Sequence, residues 1–346
     1  MGIIAVLGVK VDIDQGQADQ VFTRLSDKVE EVGNSFSKLG ALGKSLGAGL
    51  TQNLTAPITL IGGAVLKLSA DFERAMNRIA AVTQSTGDEF DLLRDTALDM
   101  GATTQYSALQ AAGALEELAK AGLKAPDAIA ALPAVLDLAT ISGKGLAVTA
   151  TQMADTLTQF GLASTDAVRV ADALARAANA STIDVHDLGQ SFKYASIYAS
   201  AFGLSIEDTA AMVALFGNVG VKAEMAGTAL RNVIDQLVNP SKKMATVMKE
   251  LGVETWRTKE NSIDFVDVMK RFAASTDPVG NAMEAFGKRA GPVMVKLVQD
   301  ALAGGHAWEE MAAKLKDTSV TAAGVADKMN EGLIGTLIRL KNIAQT

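Results

Sequence analysis

The chain contains no cysteine, two histidines and six prolines in 346 residues, and aromatic side chains make up only 5% of it. Without cysteine there is no disulfide, no thiolate metal ligand and no cysteine nucleophile, a composition that suits a reducing compartment. A histidine-based metal centre needs about three to four protein ligands. His186 and His306, far apart in sequence, supply only two imidazoles. Charge of one sign is also scarce: the formal net charge is −7, with acidic and basic residues interleaved. No basic stripe is available to neutralise a phosphate backbone, so sequence-specific nucleic-acid binding is not expected. The apolar stretch APITLIGGAVLKL (56–68) carries Lys67. It falls short of the roughly 18 to 20 residues that span a bilayer, and no transmembrane helix is predicted. The opening MGIIAVLGVKVDID lacks the basic start and small-residue cleavage site of a secretory signal.

What is abundant is small and apolar. Hydrophobic residues make up 49% of the chain, enough for a sizeable core, and alanine recurs in runs such as SALQAAGALEELAKAG. Alanine loses the least entropy in a helix, so the composition predicts slim, closely packed helices. Alternation of Val9, Val11 and Ile13 with Lys10, Asp12 and Asp14 predicts a short strand or arm at 3–13. Pro57 stands where a first helical turn tolerates proline, and the helix it starts is expected to run to about 84. Apolar residues then return at helical spacing, as in Leu132, Val135, Leu136 and Ala139, or Leu230, Val233, Ile234 and Leu237. The expected fold is all-α, a multi-helix bundle of short helices with tight glycine-terminated turns plus the N-terminal arm. The expected divisions are 1–54 (arm and glycine-rich helix), 55–85 (long connecting helix), 86–290 (compact helical domain) and 291–346. The last reads as C-terminal helices leading into a continuation, because GLIGTLIRLKNIAQT looks like a helix interrupted in progress.

The segments FGLASTDAVRVADAL (160–174) and FGLSIEDTAAMVAL (202–215) carry the same punctuation twice. Gly161 is expected to close a helix in the left-handed conformation, Leu162 to pack back on its last turn, and Ser164 to cap the next helix. Gly203, Leu204 and Ser205 repeat the pattern, with Asp208 placed as in a capping box. Gly122 in AGLKAPDAI gives a third version, with Pro126 in the first helical turn. Gly220 and Gly252 give two weaker ones. Such stops fit a compact bundle or a solenoid-like array, and their irregular spacing argues against a strict repeat. Gly40, Gly43 and Gly47 fall on one helical face, as candidates for close oligomer packing or for a hinge.

No constellation of reactive groups emerges. Asp184, His186 and Asp187 form the densest polar cluster, but Thr182 and Asp184 read as helix-start residues with Asp187 in the first turn. Glu116 with Glu117, and Glu309 with Glu310, are neighbours along helices and diverge. The fragment around Gly43, Lys44 and Ser45 lacks the earlier glycine and preceding strand of a phosphate-binding loop. The methionines Met212, Met225, Met244, Met248, Met269, Met283 and Met294 read either as core or as a plastic partner groove. Neither a catalytic group, a cofactor nor a metal is expected.

From about residue 70 to 300 the chain resembles the helical region of tailed-bacteriophage tail tape measure proteins. The matching blocks are DFERAMNRIAAVTQST with Phe72, Glu73 and Met76, MGATTQYSALQAAGALEELAKAG (100–122), VADALARAANAS (170–181), LGQSFKYASIYASAFGLSIEDTAA (188–211), MAGTALRNVIDQLVNP (225–240) and FGKRAGPVMVKL. One departure stands before the fifth block, where Lys222, Ala223 and Glu224 replace a small-residue turn. The resemblance implies a non-enzymatic structural protein of the virion, assembled in the host cytoplasm and lying in the tail lumen. It would nucleate tail assembly, set tail length and leave during genome ejection. Implied partners are copies of itself, the tail tube protein, tail-tip or baseplate proteins and tail assembly chaperones, with the host inner membrane as a candidate on ejection. A membrane-active or pore-forming helical protein and a generic helical scaffold are the alternative readings.

Overall fold

A computed structural model describes residues 69–256 and 263–331. The predicted strand at 3–13, the helix start at Pro57, the glycines Gly40, Gly43 and Gly47, and the segment 332–346 lie outside the described residues. The chain divides into a unit Met1–Glu73, of which only 69–73 is described, and a unit Arg74–Thr346. Among the described residues the structure is all-α, with no strand.

In chain order the helices are α1 (69–83), α2 (Asp88–Thr103), α3 (Ala108–Lys120), α4 (Ala125–Ser142), α5 (Leu146–Phe160), α6 (Ala167–Ala180) and α7 (Val185–Ala201). They continue with α8 (Ile206–Asn218), α9 (Ala223–Val238), α10 (Lys242–Glu250), α11 (Phe265–Ala273), α12 (Pro278–Leu302), α13 (Ala307–Lys316) and α14 (Ala322–Met329). Within α2 to α9 each helix packs on the next, and each from α2 to α7 packs also on the one two further along. That rule produces two layers. One holds α3, α5, α7 and α9, the other α2, α4, α6 and α8. The chain then returns: α13 lies on α8 and α6, and α14 lies on α6 and α4. The part of 291–331 beyond α12 therefore packs into the same unit as the two layers.

The stacking follows from alanine. Ala111, Ala128, Ala131, Ala150, Ala173 and Ala210 are fully buried, and such short side chains let helix axes approach. Leu115, Leu132, Met153, Leu174, Phe192 and Phe216 fill the space between the layers. Helix α4, central in its layer, is long and apolar enough by length and composition to cross a membrane. It is nevertheless embedded among α2, α3, α5, α6 and α14, and apolarity all round is what burial on several sides requires. In the sequence Asp127, Pro133 and Asp137 interrupt its apolar run.

The glycine stops are one structural motif. Gly161 has φ 64°, its N–H donates to the Thr158 carbonyl at 3.1 Å, and Leu162 N–H donates to the Leu157 carbonyl at 2.8 Å. This pair of bonds is the Schellman closure of a helix C-terminus. Gly122, Gly203, Gly220 and Gly252, at φ 97°, 74°, 89° and 66°, carry the same pair. Gly304 (φ 79°) makes a further copy, bonded with Gly305 to Ala301 and Asp300. It escaped the sequence reading because a second glycine stands where an apolar residue follows the others.

Ser164 departs from its predicted role as a cap. The chain restarts with a 3-10 turn at Ser164–Asp166, so the cap position falls on Ala163, whose N–H donates to Asp166 Oδ2 at 3.1 Å. The Ser164 hydroxyl, placed inside the 3-10 turn, donates instead to Asp127 Oδ1 on α4 at 2.6 Å. Helix α12 is also broken, at Gly287 (φ 64°, ψ −168°). The break brings Gly291 back against Met283, and a Cβ on Gly291 would lie 3.0 Å from its sulfur. Both glycines belong to the FGKRAGPVMVKL block.

Candidate interaction surface

Helices α7 and α9 cross with backbone against backbone. A Cβ on Gly227 would lie 2.1 Å from the Ser191 carbonyl oxygen, so only glycine permits the approach. Ser191 is fully buried, and its hydroxyl lies within donating reach of the Ala223 carbonyl (2.7 Å) and the Asp187 carbonyl (2.9 Å). Ala223 has φ 50°, in the left-handed region that costs a residue with a side chain roughly 1–2 kcal/mol. The departure at Lys222, Ala223 and Glu224 is thus a strained turn, held where the Ser191 hydroxyl meets the Ala223 carbonyl.

The loop before α7 is tied to the same place. Thr182 N–H donates to Asn218 Oδ1 at 2.9 Å, the Thr182 hydroxyl donates to the Gly217 carbonyl at 2.8 Å, and the Lys222 ammonium donates to the Thr182 carbonyl. A Cβ on Gly217 would come within 2.9 Å of Ile183 Cβ. A rigid platform of α7, α8 and α9 results. Exposed large apolar or aromatic side chains on these helices are Tyr194 (40%) and Ile197 (62%) on α7 and Met225 (66%) on α9. The Arg231 guanidinium lies 4.6 Å from the centre of the Tyr198 ring, a cation–π contact that ties α9 to α7.

The other predicted positions fall into place around this platform. Ser205 accepts the Asp208 N–H at 3.0 Å and its hydroxyl donates to Asp208 Oδ2 at 2.7 Å, at the start of α8. Asp184 accepts the Asp187 N–H at 2.7 Å, at the start of α7. The structure brings no acid to His186, whose Nε2 faces Gln190 Nε2 at 3.5 Å, while His306 stands apart with Glu309 Oε1 at 4.0 Å. Among the described residues no three metal-ligating side chains converge. Of the seven methionines, Met212, Met244, Met248, Met269 and Met294 are buried as core, whereas Met225 and Met283 reach solvent.

Ion pairs link α1 to α3 and α6 to α8. Glu116 receives Arg78 at 3.0 Å and Lys120 at 2.9 Å. Burial pushes its carboxyl up, but the Lys120 and Arg78 hydrogen bonds outweigh that and leave it below the usual carboxylate range. Arg169 on α6 meets Glu207 on α8 through two bonds of 2.7 and 2.8 Å. Burial opposes ionisation of Glu207 as well, and the Arg169 bonds again prevail. Asp137 goes the other way: burial, then Asp327 and Asp172, push it up to about 6.

The described residues form a stack of slim helices with exposed apolar side chains on α7 and α9, the kind of feature that marks association sites. Residues 94–283 match the model of a family described as phage-related minor tail protein. The chain belongs to that family and is a structural component of a phage tail, and so of the virion. It is 33% identical over 267 residues to the tape measure protein of Pneumococcus phage Dp-1, covering 77% of this chain and 22% of that protein. It is 28% identical over 337 residues to the probable tape measure protein of Escherichia phage P2, covering 94% of this chain and 40% of that protein. The chain thus spans well under half the length of either relative. No solved structure matches it.

Proposed function

We propose that this chain is the helical assembly region of a tape measure protein, lying in the lumen of the tail tube, nucleating tail assembly on tail-tip or baseplate proteins and departing during genome ejection. The observation that carries the reading is the similarity to two proteins named for the tape measure role, spread over 77% and 94% of the chain. Slim alanine-packed helices support it, since a small cross-section lets copies of the chain lie side by side within a narrow tube. The tube protein, assembly chaperones and, on ejection, the host inner membrane are the further partners this reading implies. Assembly would take place in the host cytoplasm.

The platform of α7 and α9 is the surface assigned to tail-tip contact. Ile197 and Met225 are among the most exposed large apolar side chains of the described residues, and exposed apolar area of this kind marks association sites. In phage carrying I197D and M225D in the full-length gene, the helical signature and melting temperature of the protein are expected to persist while co-purification with tail-tip proteins is lost. Unchanged co-purification removes the platform assignment. The length-setting role is read separately, by imaging tails from phage with internal deletions in the same gene. Tails that ignore deletions downstream of this region refute it.

A further inference from the structure

Residues 317–331 are fastened to the domain by polar grips and hardly at all by large side chains. Helix α14 buries only Ala322 and Ala326, on α4 and α6, and Met329 is 56% exposed. Small side chains bury little apolar area, so the hydrophobic hold is weak. What fixes the segment is a pair on α6. Arg176 Nε donates to the Val320 carbonyl at 2.7 Å and Nη1 to the Leu315 carbonyl at 3.1 Å. Asp172 Oδ1 accepts the Ala322 N–H at 2.7 Å, and its other oxygen is 3.3 Å from Arg176 Nη2. One guanidinium and one carboxylate, 11% and 14% exposed, thereby hold two backbone groups of the segment and one at the end of α13.

Like charges oppose the same contact. Helix α14 packs on α4 and α6, which brings Asp327 into the field of Asp137 on α4 together with Asp172 on α6, and the Tyr106 phenol also senses Asp137. The charged groups acting on Asp137 are both acids. Arg176 is committed to Asp172 and the carbonyls of Val320 and Leu315.

We propose that residues 317–331 form a detachable strap over α4 and α6, gripped by the Arg176–Asp172 pair and loosened by the facing carboxylates of Asp137 and Asp327, so that it holds more tightly in mild acid than at neutral pH. The sign follows from the protonation of Asp137. With the strap docked, its carboxyl titrates near about 6, above its ordinary value of 3.8. The docked strap supplies a share of that shift, by covering Asp137 and by bringing Asp327 near it. That share favours the docked state fully below the ordinary value and is lost as pH rises through the docked value. Above it, an ionised Asp137 faces Asp327 and the strap is held least.

Hydrogen exchange on the full chain tests the proposal, with the amides of 325–330 compared against those of α7 and α9. After correction for intrinsic exchange, the strap's opening constant is expected to rise by up to about tenfold between roughly pH 5 and pH 7.5. D137N should flatten that response, and D327N, at the surface, should slow strap opening at neutral pH. R176Q should speed opening at both pH values with α7 and α9 still protected. If R176Q lowers protection throughout, the two aspartate variants decide. Strap amides that exchange only together with α7 and α9, or a pH response unaltered in D137N, would overturn the proposal.

Discussion

The carbonyl of Ser191 occupies the space that a side chain on Gly227 would fill, at 2.1 Å from the position of its Cβ. Because the obstacle is backbone, no rotamer change relieves it, and α7 and α9 must separate to admit a methyl group. Gly227→Ala is therefore expected to destabilise the domain by about 2–4 kcal/mol, in the range of strained or overpacked core changes, despite alanine's better helix propensity. Urea unfolding of the variant against the parent reads the difference. An equal or higher midpoint would show that the crossing is looser than the structure has it.

Strain at Ala223 gives a prediction of opposite sign. Its φ of 50° suits glycine, and the left-handed region costs alanine roughly 1–2 kcal/mol. Glycine gives back about 0.5–1 kcal/mol through the greater freedom of the unfolded chain. Ala223→Gly is expected to stabilise by up to about 1 kcal/mol, and Ala223→Val to destabilise, since branching at Cβ worsens the clash. Thermal melts of the two variants should bracket the parent, and a glycine variant melting below it contradicts the argument.

Gly161 and Gly203 separate backbone strain from crowding. A Cβ at Gly161 would meet nothing within 4 Å, and both residues sit in the left-handed region. Valine at either position should cost at least about 1–2 kcal/mol through backbone strain alone. The double variant, compared with the sum of the singles, reads any coupling between the two turns. Unchanged melting temperatures for both single variants would remove the left-handed assignment.

These turns mark how far the sequence could be read. A glycine followed by an apolar residue and a capping serine is a local signal, so Gly203, Leu204 and Ser205 were legible from their order alone. The Ser164 cap was not, because its hydroxyl is taken by Asp127, distant in sequence and brought near only by packing. Gly227 is a helix-interior glycine with no local explanation, and its meaning appears only when Ser191 is set against it. The break in α12 falls at Gly287 and not at Pro292, which the helix accommodates. The strap was invisible for the same reason, since Arg176 reaches Val320 across most of the domain's sequence. Stacking of helices two apart likewise depends on which alanine faces meet, and helical periodicity does not encode it.

The bidentate pair of Arg169 and Glu207 predicts how acid loosens the stack. Glu207 is held below the usual carboxylate range: burial works against its charge, and the Arg169 hydrogen bonds override it. A carboxyl with a depressed folded-state pKa contributes stability that is present above its unfolded value and lost as pH falls through the folded one. Its loss therefore falls in the acid range below the usual glutamate value of about 4.3, well under the window in which Asp137 responds. Arg169 is nearly half exposed, so the pair is worth only about 0.2–1 kcal/mol after solvent screening. Glu207→Gln should lower the neutral-pH stability by that small amount and should shrink the difference from the parent as pH falls from about 6 to about 3. A double-mutant cycle with Arg169→Gln, run by urea unfolding at both ends of that range, measures the coupling. Coupling that survives undiminished at the acid end would mean that the two side chains act through packing and not through charge.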